Sequence, residues 1–457
     1  MTLDNRARLT AVVLIGAVSL IASLRGSAAD RTLALQSSTS DGGPTFAADV
    51  APIVYKNCST CHRPGQAAPF SLLSYDDVKR RATLIVNATG RRYMPPWHAT
   101  PAPGFPEFRD ARRLSDADVA IIKAWVDAGM PAGDLSKAPA PPTFPEGWPL
   151  GTPDIELSYP VEVEVPAGGP DLYRNVVLPL DRADDVWITA VDFEPSARTV
   201  VHHALFFAGS SDSYRPGSND NAFPGIRGGA TVGIGGWVPG MTPRFFPDGI
   251  AQPLPAHTNV IVQLHLHPSG KIEHEHGKMA IYLSKQPPKK RLTSVQVPPM
   301  FGFASGIDIP AGEKRYTIKD SFVLPVDVDA YGARGHAHYL AREMKMTATL
   351  PDGAMKGLLW IGEWDFGWQD SYFFATPMTL PKGTRIDAEI VYDNTELNTR
   401  NPNSPPKRVK WGLGTFDEMG SMTLLLTTNT RQDDRILRQT SAQKFRDALT
   451  AMFLRNR

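Results

Sequence analysis

The stretch VHHALFF, residues 201–207, sets two histidines side by side in an apolar run with the texture of a buried strand. Successive side chains of a β-strand point to opposite faces. An imidazole of the pair His202 and His203 must therefore enter a core, where an unpartnered polar group is costly. For both rings to turn inward, the pair must lie at a strand end or on a β-bulge. The surroundings have the same strand-like texture. VEVEV (161–165), VWITAVDF (186–193), NVIVQLHLH (259–267) and KMTATL (345–350) show period-two patterns or short apolar runs between Gly/Pro turns. They predict antiparallel β-sandwich material down to about residue 430. That length exceeds one sandwich, and SKQPPKKRLTSVQVPP (284–299) is the natural seam, giving sandwiches over 154–290 and 291–432. Beyond it, Ile436, Leu437, Phe445, Leu449 and Met452 recur at helical spacing and predict one amphipathic helix over 433–457, packed on the outside.

Composition agrees with a β-rich, multidomain chain. There are 457 residues with 41 prolines and 38 glycines, and the net charge is +1. Near-neutral charge argues against nucleic acid as a partner, since a phosphate-binding surface shows as a basic excess or stripe. Ahead of the fold, Arg6 and Arg8 precede an apolar segment from Leu9 to Leu24, followed by GSAAD. This is the pattern of a secretory signal over residues 1–29, cleaved after Ala28 or Ala29, and it implies a periplasmic or secreted protein. An uncleaved membrane anchor is the alternative, although the apolar span is short for a bilayer.

The chain has two cysteines, Cys58 and Cys61, in CSTCH. C-x-x-C followed by His62 is the attachment sequence of haem c: two thioethers hold the porphyrin and the histidine ligates iron. SYDD (74–77) opens a helix bearing Val78, Ala82 and Ile85 and stopped at Gly90; SDAD (115–118) opens another, bearing Val119, Ile122 and Val126 and ended by Gly129 and Pro131. Residues 45–135 thus predict a small all-α haem domain of cytochrome c type. Its distal iron ligand is expected to be Met94, on the proline-stiffened loop RRYMPPWH, with His98 the competitor and a role for Met94 as core filler the plain alternative. A proline-rich spacer over 136–153 follows.

Of the eleven histidines, nine lie after the spacer: His202 and His203, His265 and His267, His336 and His338, the lone His257, and His274 with His276. On a strand, HxH presents two imidazoles on one face, an economical geometry for copper or zinc. Three paired clusters in apolar strands point to metal. The HEH of residues 274–276 sits in a polar hairpin and reads as a solvated turn.

In the order of these elements, residues 152–430 resemble the copper type II ascorbate-dependent monooxygenases, the family of dopamine β-monooxygenase and peptidylglycine α-hydroxylating monooxygenase. The resemblance is carried by VHHALFF, VQLHLHP, GHAHYL and FDEMGSM. It implies two jelly-roll sandwiches, each holding one copper and facing across an open cleft. One copper would take His202, His203 and His265; the other, the catalytic one, would take His336, His338 and Met419. His267 has no counterpart in the animal motif and stands as an alternative to His265, and Met422 as an alternative to Met419. The resemblance further implies an oxidoreductase that hydroxylates an sp³ C–H of a small organic substrate with O₂. Its reductant would be ascorbate-like or, through the fused haem domain, a periplasmic cytochrome. The alternative is a periplasmic haem/copper protein that stores or passes electrons without hydroxylation. The disulfides of the animal enzymes have no equivalent here, and the family's substrate-binding residues match no position.

Overall fold

A computed structural model of the protein describes residues 43–66, 68–144, 147–180, 182–210, 231–239, 241, 243–247, 249–412, 414 and 416–455; the expected signal segment lies outside the described residues. The expected strands form. Val186–Glu194, Val201–Ser210, Thr258–Leu266 and Ala341–Thr349 cover the apolar runs, while only Val163–Val165 of VEVEV is a strand.

Eight strands make one continuous sheet, in the order Ile155–Ser158, Lys278–Leu283, Val186–Glu194, Ile250–Leu254, Lys290–Val297, Gly420–Thr428, Val328–Ala337 and Ser371–Leu380. Four of these precede residue 290 and four follow it. A four-stranded sheet accompanies each half: Leu172–Leu178, Thr258–Leu266, Val201–Ser210 and Thr231–Trp237 with the first, and Tyr316–Val323, Arg385–Tyr392, Ala341–Thr349 and Met355–Ile361 with the second. Two separate cores result. Leu178, Phe206 and Val262 pack with Ile188, Phe193 and Ile281 in the first; Ile318, Met346 and Ile390 pack with Val297, Ala333 and Leu424 in the second. This is compatible with two β-sandwiches. The seam at 284–299 differs from expectation, because its Lys290–Val297 is itself a strand. It pairs antiparallel with Gly420–Thr428 and, through Lys290↔Ile250 and Arg291↔Ala251, parallel with the first half. Sheet hydrogen bonds therefore cross the boundary between the halves.

The region before the spacer is helical, in short pieces. Phe46–Val50 runs into Ala51–Asn57, which delivers the CSTCH segment. The expected helix from Ser74 to Gly90 is divided at Arg81 into Tyr75–Arg80 and Ala82–Gly90, although Val78, Ala82 and Ile85 still share one core. Asp116–Asp127 begins with a complete capping box between Ser115 and Asp118. Between these helices the chain leaves the bundle. Trp97 and Ala99 enter the second sandwich's core, and bridges join Ala99 to Ile361 and Phe108 to Phe374. The spacer is partly docked as well: Trp148 packs on Ala190, Ala280 and Tyr282, and its Nε1–H donates to Glu156 at 2.5 Å. The last described helix, Arg431–Arg455, is anchored near its start by buried Leu437 and by Asp434, which pairs with Arg291 and Arg438.

Asp192, in the strand Val186–Glu194, accepts the Phe193 N–H at 2.7 Å, yet burial pushes its carboxyl up to about 6. A group whose folded pKa is raised contributes stability that is complete below its unfolded value, about 4, and is lost as pH rises through about 6. Asp192→Asn keeps the acceptor and removes the charge. The variant should exceed the parent in stability by about 3 kcal/mol at pH 7 and by little near pH 4. Denaturant midpoints across that range measure it; a pH-independent difference would assign the effect to another cause.

Candidate metal centre

The first histidine set is built by a bulge. Strand Val201–Ser210 pairs antiparallel with Thr258–Leu266, and the register shifts between Val201 and His203, leaving His202 as the extra residue. Residues opposite each other in a ladder share a face, so His203, paired with His265, points the same way as its partner. The bulge turns His202 to join them. The three Nδ1 atoms converge: His203 Nδ1 lies 3.2 Å from His202 Nδ1 and 3.3 Å from His265 Nδ1. One ligand atom from each residue falls within a 4.8 Å group.

These contacts are hard to satisfy within the protein. His265 Nε2 lies 2.6 Å from Asp171 Oδ2, which can only accept from it, so the neutral ring carries its proton there and its Nδ1 presents a lone pair. His203 Nδ1 has at most one proton to share between two neighbours. At most one of the two short contacts can therefore be a full hydrogen bond, whereas a cation among the three nitrogens would satisfy their lone pairs. Nitrogens bound at ~2.0 Å to a tetrahedral ion stand about 3.3 Å apart, which matches the spacing seen. Burial, and then the neighbouring imidazoles, pushes His202 down to about 4 and His203 well below the usual histidine range. The rings are neutral at pH 7, as nitrogen ligands must be.

The other candidates around this set separate by position. His267, with a side chain 64% exposed, bonds Asp171 Oδ1 through Nδ1 at 2.7 Å and stands outside the converging group. His274 pairs with Glu162 on the surface, and His276 Nε2 bonds the Tyr159 carbonyl at 3.0 Å. The two histidines of the HEH hairpin thus turn to separate partners, and the hairpin is not wholly solvated: Glu275 between them is buried and accepts the Ala197 N–H at 2.7 Å.

The second set lies at the end of strand Val328–Ala337, which pairs with Gly420–Thr428 so that His336 faces Ser421 and Ala337 faces Gly420. His338 and Met419 lie just beyond the paired residues, at the same end of the two strands. Pairing places one of the two methionines. Met422 pairs with Gly335 and packs in the sandwich core with Ala333, Ala337 and Leu424, on the face away from the histidines. Met419, 3% exposed, lies outside that core cluster, and its backbone N–H shares the Glu418 side chain with that of His338. His336 donates Nδ1–H to Gln369 Oε1 at 2.6 Å, and the Gln369 amide is oriented by its own bond to the Phe366 carbonyl at 3.2 Å. His338 donates Nδ1–H to the Asp417 carbonyl at 3.0 Å. Both rings therefore offer Nε2. Burial lowers His336 to about 4 and His338 to about 3.

Glu418 ties this set together. Its buried carboxylate accepts backbone N–H groups of His338 (2.9 Å), Leu340 (2.6 Å) and Met419 (3.1 Å), joining the two ligand segments. Burial raises its pKa to about 8 against the pull of those amides. Gly420 completes the E-M-G run. Tyr392 Oη donates to the Met419 carbonyl at 2.9 Å, and a Cβ at position 420 would collide with that hydroxyl.

Phe366 stands against both sets. Its ring centre is 4.9 Å from that of His202, 5.9 Å from His203, 5.5 Å from His265 and 5.3 Å from His338. The open cleft implied by the resemblance is, in this structure, occupied there by an aromatic side chain. No periodic signal marked Phe366, Gln369 or Asp171, because all three lie outside the paired strands; Glu418 was visible only as the neighbour of Met419.

In the helical region, Cys58 and Cys61 sit on the turn after Ala51–Asn57, and burial pushes the Cys58 thiol up to about 12, far from a reactive thiolate. His62 directs Nδ1 to the Phe70 carbonyl at 3.2 Å, which leaves Nε2 as the nitrogen open to a ligand role. Met94 is half-buried on the loop after Ala82–Gly90. His98, the competitor, belongs to the segment on the second sandwich. Its electrostatic neighbours are Asp365, Arg400 and Glu363, and its buried Nε2 has no hydrogen-bond partner.

No family model matches the chain, and no curated protein matches it. Among solved structures, it is similar to PNGF-II (10% identity, TM-score 0.27, over 60% of this chain and 65% of that one). It is likewise similar to PNGase F, a glycosylasparaginase from Flavobacterium meningosepticum (10%, TM-score 0.26, over 61% and 97%). A third likeness is to an infectious bursal disease virus VP2 subviral particle (11%, TM-score 0.17, over 61% and 72%). The chain spans just under two thirds of the PNGF-II chain.

The depressed histidines set a pH dependence. Their folded pKa values lie below the unfolded value of about 6.5, so the unfolded chain takes up protons first as pH falls. Their contribution to stability without metal should be level above about pH 6.5 and decline toward pH 4, opposite in sign to the contributions of Asp192 and Glu418. His336→Gln should flatten part of that decline in denaturant midpoints. An identical slope in parent and variant would remove His336 from the account.

Proposed function

We propose that the chain is a copper-dependent monooxygenase that hydroxylates an sp³ C–H of an organic substrate with O₂, with electrons reaching it through a haem c domain at residues 45–135. The observation that carries the reading is the convergence of His202, His203 and His265 through Nδ1, beside a second pair, His336 and His338, whose segment Glu418 ties to that of Met419 through backbone N–H groups. In this reading the two halves of the β region are the jelly-roll sandwiches of the resembled family. Three imidazoles accommodate either copper oxidation state, whereas a thioether favours Cu(I). Zinc would suit the three-histidine set but leaves Met419 without a purpose. When bound, copper supplies one-electron redox chemistry and the activation of O₂.

The chain's own residues do the rest. Gln369 and the Asp417 carbonyl hold His336 and His338 with Nε2 outward, and Glu418 keeps His338 and Met419 in register. His62, oriented by Phe70, together with the thiols of Cys58 and Cys61, supports covalent haem c, with Met94 as the distal ligand. The placement of His98 against Asp365 favours Met94 over His98. A second reading, an electron-transfer or copper-binding protein that does not hydroxylate, is favoured by Phe366, which packs where a substrate would have to enter.

Metal and haem analysis of the exported protein should give about two coppers and one haem per chain. His336→Ala and Met419→Ile should each leave one copper with the haem spectrum intact, whereas Met422→Ile, a core change, should keep both. O₂-dependent product formation separates hydroxylation from plain electron transfer. Full copper loading in the His336 and Met419 variants would remove the second site.

A further inference from the structure

We infer that Asp171 is the positioning residue that makes His265 an Nδ1 ligand, and that His267 anchors Asp171 rather than binding an ion itself. The inference rests on the reading that the three-histidine set holds copper. Asp171 directly precedes strand Leu172–Leu178, which pairs with Thr258–Leu266 so that Tyr173 faces His265. The Tyr173 ring stacks flat on the His265 ring, with centroids 4.6 Å apart and planes 4° apart. Stacking fixes the plane of the imidazole but leaves both of its edges equivalent. Flipped by half a turn about Cβ–Cγ, the ring would present Cδ2 to His203 in place of Nδ1 and Cε1 to Asp171 in place of Nε2.

Asp171 breaks that equivalence. Its Oδ2 accepts Nε2–H at 2.6 Å, a charge-assisted bond to a side chain whose own exposure is 0%. The neutral ring has a single N–H, so this bond places the lone pair on Nδ1, facing His203. A carboxylate behind a ligating imidazole also raises its basicity and helps to balance the charge of an ion. The other oxygen, Oδ1, bonds His267 Nδ1 at 2.7 Å. With one oxygen on each histidine the carboxylate cannot rotate freely, and the Asp171 side chain is itself only 8% exposed. His267, two residues beyond His265 on the same face, thereby acts from outside the set.

The test is Cu(I) titration of the full chain against a chromophoric competitor, in a His336→Ala/His338→Ala background that isolates the first set. Asp171→Asn should weaken binding there by about 10- to 100-fold. Asp171→Glu, which restores the carboxylate, should recover part of the loss, and His267→Ala should lose only several-fold. In the otherwise unaltered chain, Asp171→Asn should leave the affinity of the His336/His338/Met419 set unchanged, a selectivity that general destabilisation would not produce. The Cu(II) magnetic-resonance spectrum of the first set should change in step with affinity. The proposal is overturned if Asp171→Asn binds within about twofold of the background protein, or if both sets weaken equally. Complete loss of the first ion in His267→Ala would make His267 a ligand and overturn it as well. No Cu(I) at the first set of the background protein would end the copper reading and this inference with it, an outcome visible in the stoichiometry before any Asp171 variant is compared.

Discussion

The antiparallel pairing of Val201–Ser210 with Thr258–Leu266, with its bulge at His202, is the constraint on which the centre depends. A strand's side-chain period is two, so slipping this pair by one residue would send His203 and His265 to opposite faces. The bulge is equally necessary. A regular strand would turn His202 away from its neighbour, and only the inserted residue brings adjacent histidines together. The second ladder obeys the same rule: the register that faces His336 with Ser421 sends Met422, opposite Gly335, to the core. The long sheet runs unbroken from one half to the other, through Lys290↔Ile250 and Arg291↔Ala251, and carries the second ladder, while the first lies in the four-stranded sheet that packs with the first half into one core frame.

Within that frame, burial and orientation work together. Five imidazoles, those of His202, His203, His265, His336 and His338, are kept neutral chiefly by removal from water. Neutrality by itself does not choose which nitrogen presents its lone pair. That choice is made by hydrogen bonds to the other nitrogen: the Asp171 carboxylate behind His265, the Gln369 amide behind His336 and the Asp417 carbonyl behind His338. The first set consequently offers Nδ1 and the second Nε2.

The helical region meets the β region through residues 97–112 rather than through the spacer alone. Trp97 packs edge-on against Tyr372, and Arg112 pairs with buried Asp370 at 2.8 Å. Both partners flank the segment carrying Phe366 and Gln369, which touches both histidine sets. Arg400 pairs with Asp365 in the same segment at 3.4 Å, and Trp364 Nε1 donates to the His338 carbonyl at 3.0 Å. One irregular segment thus joins the helical region, the first set and the second set by direct contact.

Local pattern was enough to place the strands and helices, the capping box at Ser115 and the histidine pairs, because period-two alternation, caps and HxH spacing are properties of neighbouring residues. It was also enough to require a bulge or strand end at His202 and His203. What local pattern could not decide was anything set by partners far along the chain. The seam at 284–299 looked like a linker because it is rich in proline and lysine, yet Lys290–Val297 became a central strand once Ile250–Leu254 and Gly420–Thr428 lay on either side. His267 and His265 were equivalent by spacing; Asp171, 94 residues from His265, separated them by taking one as a buried ring and the other as a surface anchor. Met419 and Met422 were both candidate soft ligands until ladder register sent Met422 into the core. Phe366 and Gln369 carried no signal at all, since loop residues follow no period and acquire their neighbours only when the sheets pack. Residue chemistry was therefore legible in the sequence, while the faces, tautomers and neighbours that turn it into a site were decided by long-range pairing.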